Sequence, residues 1–360
     1  MNENDSNRSL SERLGVTVPV WSAPMATDLP PEFVAAVSES GGLGVVPADD
    51  VADPKTYLEA LRKGTDKPFA VALRAPDVKA FPLTKECSWR WARVFVERYR
   101  EAIELSGAGW TEASLADVFL EFDPLQSFEE RFRFWLEARP AAMISTFGAF
   151  REPEEDALRV AGVLNVATAS TLREAKVARA ARVDAIVVQG AEAGGPRWSS
   201  VDTGAAAVGL MSLLPHVKRA TGLPLIAAGG IVTPEQVRAA KVLGADACLV
   251  GSAFLTTEEA RADGFYQWAA TESSPADYVY GPFEGTTDGW YLRNDFVSGL
   301  AKEMACADRP PAGLFEPWTA QLRKRLMAKG EGAAVALSFG QAAGRVPYVR
   351  VADVVRSLSA

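Results

Sequence analysis

Short apolar, β-branched runs recur along this chain, and each is followed by residues whose apolar positions repeat at helical spacing. That alternation constrains the fold more than any single motif. Strands separated by helices pair in parallel, and the helices cover the sheet. Eight such runs can be read, at residues 19–23, 43–46, 69–73, 142–146, 162–166, 185–188, 225–228 and 247–250. Eight units that close on themselves make a (β/α)8 TIM barrel of the α/β class. The punctuation between them is readable: in "TPEQVRAAKVLGA", Thr233 is the expected cap, Pro234 the first helical residue, Gln236 the partner in a capping box and Gly244 the stop.

The spacing predicts five segments. A polar N-terminal tail covers 1–12 and barrel strands one to three cover 13–76. A helical, aromatic-rich insertion after strand three covers 77–139, barrel strands four to eight 140–255, and a C-terminal helical or lid segment that returns to the barrel 256–360. In the insertion, "WRWARVFVERYREAIELSG" puts Trp91, Phe95, Tyr99 and Ala102 on one helical face, and "FEERFRFWLEARP" puts Phe128, Phe132, Trp135 and Leu136 on another. The expectation is a separate helical layer whose aromatics pack it onto the barrel, with some of them open to a substrate pocket.

Composition removes several function classes. The formal charge of −8 disfavours nucleic acid and anionic membranes. The polar start and the lack of a long apolar run point to a cytoplasmic protein with no membrane segment. Cys87, Cys248 and Cys306 fit no metal-ligand spacing and are expected to be reduced and structural, with no metal site. The single histidine, His216, excludes a multi-histidine metal site, and its place in "LMSLLPHVKRATG" is an outer helix. Oligomeric state is not legible.

The glycines are informative. The run 185–188 leads into "QGAEAGGPRW" with Gly194 and Gly195, the next strand ends in "AAGGI" with Gly229 and Gly230, and the last in "LVGS" with Gly251 and Ser252. Barrels commonly bind phosphate at the last two of these loops through bare backbone N–H groups. Three consecutive strand ends of this kind point to a phosphate-bearing ligand.

Together "PVWSAPMA", "GGLGVV", "VDAIVVQGAEAGGPR", "PLIAAGGI", "LGADACLVGSAFL", "LRN" and "FGQAAG" resemble the nitronate monooxygenase family, which is related to the flavin-dependent enoyl-acyl-carrier-protein reductases. The resemblance implies FMN. Ala23, Pro24 and Met25 would lie against the flavin ring and Gln189 would hydrogen-bond to it. Gly194, Gly195, Gly229, Gly230, Gly251 and Ser252 would hold the phosphate, with Gln341 and Gly344 closing the site. It also implies a small-molecule substrate and O2 as partners.

Pro196 is the departure. The family typically carries histidine directly after the glycine pair, and here that place has no ionisable side chain and no N–H. Glu192 and Arg74 are the remaining catalytic candidates. Glu192 suits a base or a helix cap equally, and Arg74 suits an anion grip or an exposed rim residue. The first expectation is an FMN-dependent monooxygenase acting on an electron-rich, nitronate-like or specialised anionic substrate. The alternatives are an NAD(P)H-dependent flavin reductase of an enoyl thioester or quinone, and a non-catalytic FMN-binding protein.

Overall fold

The computed structural model describes residues 8–25, 29–76, 82–199, 207–285, 287–304, 309–311, 313–344 and 349–359. Its strands β1 (Val20–Ser22), β2 (Gly44–Pro47), β3 (Phe69–Arg74), β4 (Ala142–Thr146), β5 (Leu164–Ala169), β6 (Ala185–Gln189), β7 (Leu225–Ala228) and β8 (Ala247–Val250) form one sheet in the order β1-β8-β7-β6-β5-β4-β3-β2. Every pairing in it is parallel, with Val20 opposite Cys248 and Ala72 opposite Ile144. The barrel closes where Ser22 N–H donates to Leu43 O (3.1 Å) and Leu43 N–H to Val20 O (3.0 Å).

Alternation along the strands explains the continuous apolar runs. Val45, Ala72, Ile144, Val187, Ile226 and Leu249 point into the barrel, while Val46, Val71, Met143, Ile186, Ala227 and Cys248 point to the helices, so both faces are buried. Alanines at 70, 72, 142, 185, 228 and 247 fit the narrow interior.

The helices are α1 (Leu10–Leu14), α2 (Pro31–Glu39), α3 (Pro54–Gly64), α4 (Lys85–Arg98), α5 (Arg100–Ser106), α6 (Glu112–Glu121), α7 (Pro124–Glu137), α8 (Glu152–Ala161), α9 (Leu172–Ala180), α10 (Leu210–Thr221), α11 (Pro234–Val242), α12 (Gly264–Glu272), α13 (Asp295–Met304), α14 (Glu316–Ala328) and α15 (Val351–Ser359). Eight of them, α2, α3, α7 to α11 and α15, share the outer core with the strands. The capping box at Thr233 and Gln236 starts α11 as its sequence predicts.

Strand bounds shift by a residue or so, and three larger differences from the sequence reading stand out. Of the residues read as a tail, 1–7 lie outside the described residues, but Leu10 starts α1, which buries Leu10 and Leu14 among the inward-facing residues of the barrel. β5 starts at Leu164 rather than 162 and runs on to Ala169. Gly162 (φ 71°) is the left-handed cap of α8, so the strand cannot begin there. The segment 77–139 is not one layer. Its last helix, α7, buries Phe128, Phe132 and Trp135 in the barrel core and is the barrel's own helix after β3. The aromatics of α4 to α6 share a second core with the hairpin β9 (Tyr278–Gly281) and β10 (Gly289–Leu292) and with α12 to α14, with Phe315 at 4.9 Å from Phe95 and 5.9 Å from Phe119. Two segments far apart in sequence thus build one cap.

No helix among the described residues is long and apolar enough to cross a membrane. Cys248 is buried in β8, which pushes its thiol up to about 12 and keeps it unreactive. Cys87 is half-buried on α4, and Cys306 lies outside the described residues.

Candidate active site

Between the C-terminal ends of the barrel strands and the cap lies a cavity of about 1350 Å³. Ala23, Pro24, Met25, Arg74, Gln189, Gly194, Gly195, Pro196, Gly229, Gly230, Gly251 and Ser252 all line it. After β1 the chain turns tightly, with Ala23 N–H bonded to Val250 O (2.7 Å) and Met25 N–H to Ala23 O (2.9 Å). Gly251 lies beside this turn: a Cβ there would stand 3.4 Å from Ala23 Cβ and 3.6 Å from Met25 Sδ. The result is an apolar shelf next to bare backbone.

Gln189 ends β6 and is buried. Its Oε1 accepts from Ser170 Oγ (3.0 Å) and Trp198 N–H (2.7 Å), and its Nε2 donates to Pro196 O (3.2 Å). The amide therefore fixes the segment that carries Pro196, and Trp198 packs against the barrel interior and lines the cavity.

The glycine pair answers first to the chain itself. A Cβ on Gly194 would lie 2.3 Å from Phe339 C and 2.4 Å from Gly340 N, so the strap that returns from the cap presses on bare backbone here. Gly195 needs φ 72° and its Cβ position is open, with Ser338 Cβ at 3.9 Å. The strap is tied down again by Gly340 N–H to Ser252 Oγ (3.0 Å) and Gln341 N–H to Glu192 O (2.9 Å).

Three candidates sit away from the cavity wall. Both oxygens of Glu192 accept from Leu210 N–H (2.9 Å each), so its carboxylate holds the N-terminus of α10, where the helix dipole favours a negative charge. Of the two roles that the sequence leaves open for Glu192, these bonds are those of the helix cap. Gln341 joins the strap to the barrel through its backbone, and Gly344 packs against α12, where a Cβ would meet Ser273 O at 2.1 Å. His216 is exposed on α10 with Nδ1 2.7 Å from Ser212 O.

Arg74 ends β3 with its guanidinium 3.9 Å from the Phe147 ring centroid and Nη1 3.3 Å from Glu316 Oε1 of α14. Its N–H donates to Asp49 Oδ2 (2.8 Å). Asp49 opens onto the cavity, where crowding by the walls pushes its carboxyl up, and the Arg74 and Arg131 charges beside it oppose the shift. The sequence reading gave a lid segment that returns to the barrel but did not single out its residues on the cavity, Glu284, Arg323 and Tyr266. Glu284, on the cavity, pairs with partly buried Arg323 and accepts from Ser338 Oγ (3.3 Å), and burial pushes the neighbouring Tyr266 up to about 12. Among the described residues no group of His, Cys, Asp and Glu could hold a metal ion.

Bare backbone from three successive strand ends on the same cavity as a flat apolar shelf is a mould for a ligand with a ring at one end and a phosphate at the other. The residues present fit FMN.

Comparisons with known proteins agree with this geometry. The family model described as nitronate monooxygenase matches residues 7–360. A nitronate monooxygenase of Pseudomonas aeruginosa is 33% identical over 261 residues, 71% of this chain and 71% of its own. A probable nitronate monooxygenase of Staphylococcus saprophyticus is 29% identical over 346 residues, 93% of this chain and 92% of its own. A solved structure described as a nitroalkane oxidase from Streptomyces ansochromogenes has a TM-score of 0.80 at 27% identity and covers 98% of this chain and 97% of its own. FabK from Thermotoga maritima shares the fold, with a TM-score of 0.71 at 21% identity over 98% of this chain and 94% of its own.

Proposed function

The chain belongs to the nitronate monooxygenase family, a group of flavin-dependent barrel oxidoreductases, and from that premise we propose that it binds FMN and oxidises an already anionic, nitronate-like substrate with O2. The observation that carries the reading is Pro196, which lines the cavity directly after the glycine pair, with its carbonyl engaged by Gln189.

Bound FMN supplies a two-electron acceptor that O2 returns to its oxidised form. The chain does the rest. Ala23, Pro24 and Met25 offer the flat apolar surface, and Gln189 keeps the Pro196 segment in one place. Gly195, Gly229, Gly230 and Gly251, with Ser252, hold the phosphate. Arg74 is pre-set by stacking on Phe147. Its bond to Glu316, at 3.3 Å, is long for a charge-assisted one, so a substrate anion can compete for the guanidinium.

Pro196 cannot take a proton, and the Glu192 carboxylate is turned to α10. With no base directly after the glycine pair, a neutral carbon acid would depend on the carboxylates farther along the cavity, Asp49 and Glu284, whereas an anion needs no base. Loss of general-base help typically costs about 10² to 10⁴ in rate. Oxygen uptake with preformed nitronate is therefore expected to exceed that with freshly dissolved neutral nitroalkane by at least about 10². Equal initial rates would remove the argument from Pro196, and rapid anaerobic bleaching of the flavin by NADPH would reassign the protein to hydride transfer from NAD(P)H.

A further inference from the structure

Trp198 stands two residues beyond Pro196 and is the only tryptophan among the described residues that line the cavity. Ala23, Ala72, Ala228 and Leu249 line the cavity too, and all five either belong to the cluster that fills the barrel or pack on it. They are therefore the floor of the cavity, where the barrel interior ends. Three of them are alanines, so the floor is low and a planar ligand can settle onto it. Trp198 is the one flat, polarisable side chain in that floor. Tyr266 and Tyr291, also on the cavity, belong to the core of the cap.

The segment that carries this indole is fixed before any ligand arrives. Trp198 N–H donates to Gln189 Oε1 (2.7 Å), and Ser199 N–H donates to Arg197 O (2.8 Å). Ser199 Oγ donates to Glu174 Oε1 (2.5 Å), and the other oxygen of that carboxylate accepts from Ser170 N–H (2.8 Å). Arg197 reaches Ser170 O (3.3 Å) through Nη2 and Asp288 O (2.7 Å) through its own N–H. A buried carboxylate is costly unless hydrogen bonds satisfy it, and Glu174 is buried here with its bonds spent on the residue after Trp198 and on the end of β5. Residues 196–199 are thus tied to β5, β6 and the hairpin. A ring pre-set in this way loses little freedom when a ligand stacks on it.

Resting on the FMN reading, we propose that Trp198 is a flavin-positioning residue whose indole lies against the flavin ring on the floor of the cavity, continuing the Ala23 to Met25 shelf. An electron-rich ring against an electron-poor one gains more than area burial alone. The contact also carries a signature that mere packing of the barrel mouth does not. Light-excited flavin takes one electron from an indole it touches and then returns it, so fluorescence is lost and an indolyl radical appears transiently.

Fluorescence and transient absorption of the purified, FMN-loaded protein, freed of excess cofactor, test this without any substrate. Wild-type protein is expected to quench most of the fluorescence of its FMN and to show the indolyl radical. Trp198→Leu is expected to restore most of the fluorescence and to weaken FMN binding about tenfold, the worth of one aromatic stack. Trp198→Phe keeps a ring and is expected to recover most of the affinity but not the quenching. Bound FMN as bright as free FMN overturns the proposal, and so does quenching that yields a tyrosyl radical, from Tyr266 or Tyr291, or no radical. A folded, FMN-loaded Trp198→Leu protein as dark as the wild type overturns it as well. The wild-type radical decides the matter even where the variants fail to fold. A protein that binds no FMN discards the functional reading and the proposal with it, whereas FMN bound without quenching discards the proposal alone.

Discussion

Gly194→Ala is expected to lower FMN affinity by at least about 10²-fold and to cost about 1–3 kcal/mol or more of stability, the range for overpacking a tight site. The reason is backbone against backbone. The added methyl would stand 2.3 Å from Phe339 C and 2.4 Å from Gly340 N, and neither can rotate aside as a side chain would. Moving the strap by the ångström or more that a methyl needs breaks Gly340 N–H to Ser252 Oγ and Gln341 N–H to Glu192 O together, and so disturbs the loops after β6 and β8 at once. Gly222→Ala, at the C-terminal cap of α10 and away from the cavity, is the control. Its cost is the left-handed φ of 68°, about 1 kcal/mol, with open space around the new Cβ, so FMN affinity should be unchanged. Titration of apoprotein with FMN and thermal melts of both variants check the pair. Wild-type affinity in Gly194→Ala would show that the contact does not organise the site.

Pro196→His is expected to raise turnover of neutral nitroalkane by about 10² to 10⁴ while turnover of preformed nitronate stays within a few-fold. The position already lines the cavity, and Gln189 holds its carbonyl, so the backbone has a fixed starting place for an imidazole. The sign with pH follows from the chemistry. Only the unprotonated ring accepts a proton, so the new activity should rise as pH passes the ordinary histidine value of about 6.5, with no matching rise for the anion. A folded, FMN-loaded variant that gains nothing on the neutral substrate would mean that the missing histidine is not what limits substrate choice.

The barrel was legible because it rests on local signals. β-branched runs with both faces buried, the capping box at Thr233 and Gln236 and glycines at strand ends all act within a few residues of themselves. What escaped depends on partners far away in sequence. Periodicity gave the apolar face of α7 but not what it meets, so Phe128, Phe132 and Trp135 were read with the insertion although they pack in the barrel core. The same limit hid Glu284 and Arg323, which meet only because hairpin and α14 fold over the barrel mouth. Glu192 is a different case. A carboxylate that caps a helix and one that faces a substrate occupy the same place in the sequence, and only the bonds to Leu210 N–H separate them. Gln341 and Gly344 came in by resemblance, which conveys residue type at a position but not the direction it faces. The glycine pair is instructive in the same way. Close approach at Gly194 was legible, but the approaching group is the chain's own strap.

Substrate choice, the glycine rims and the strap all presuppose a flavin at the glycine-rimmed end of this barrel. The most direct measurement is the visible spectrum of the purified protein, followed by denaturation and quantification of the released cofactor. A yellow protein releasing about one FMN per chain, or an apoprotein that takes up FMN at micromolar concentration or below, is the predicted result. A colourless protein that refuses added FMN in that range would contradict it.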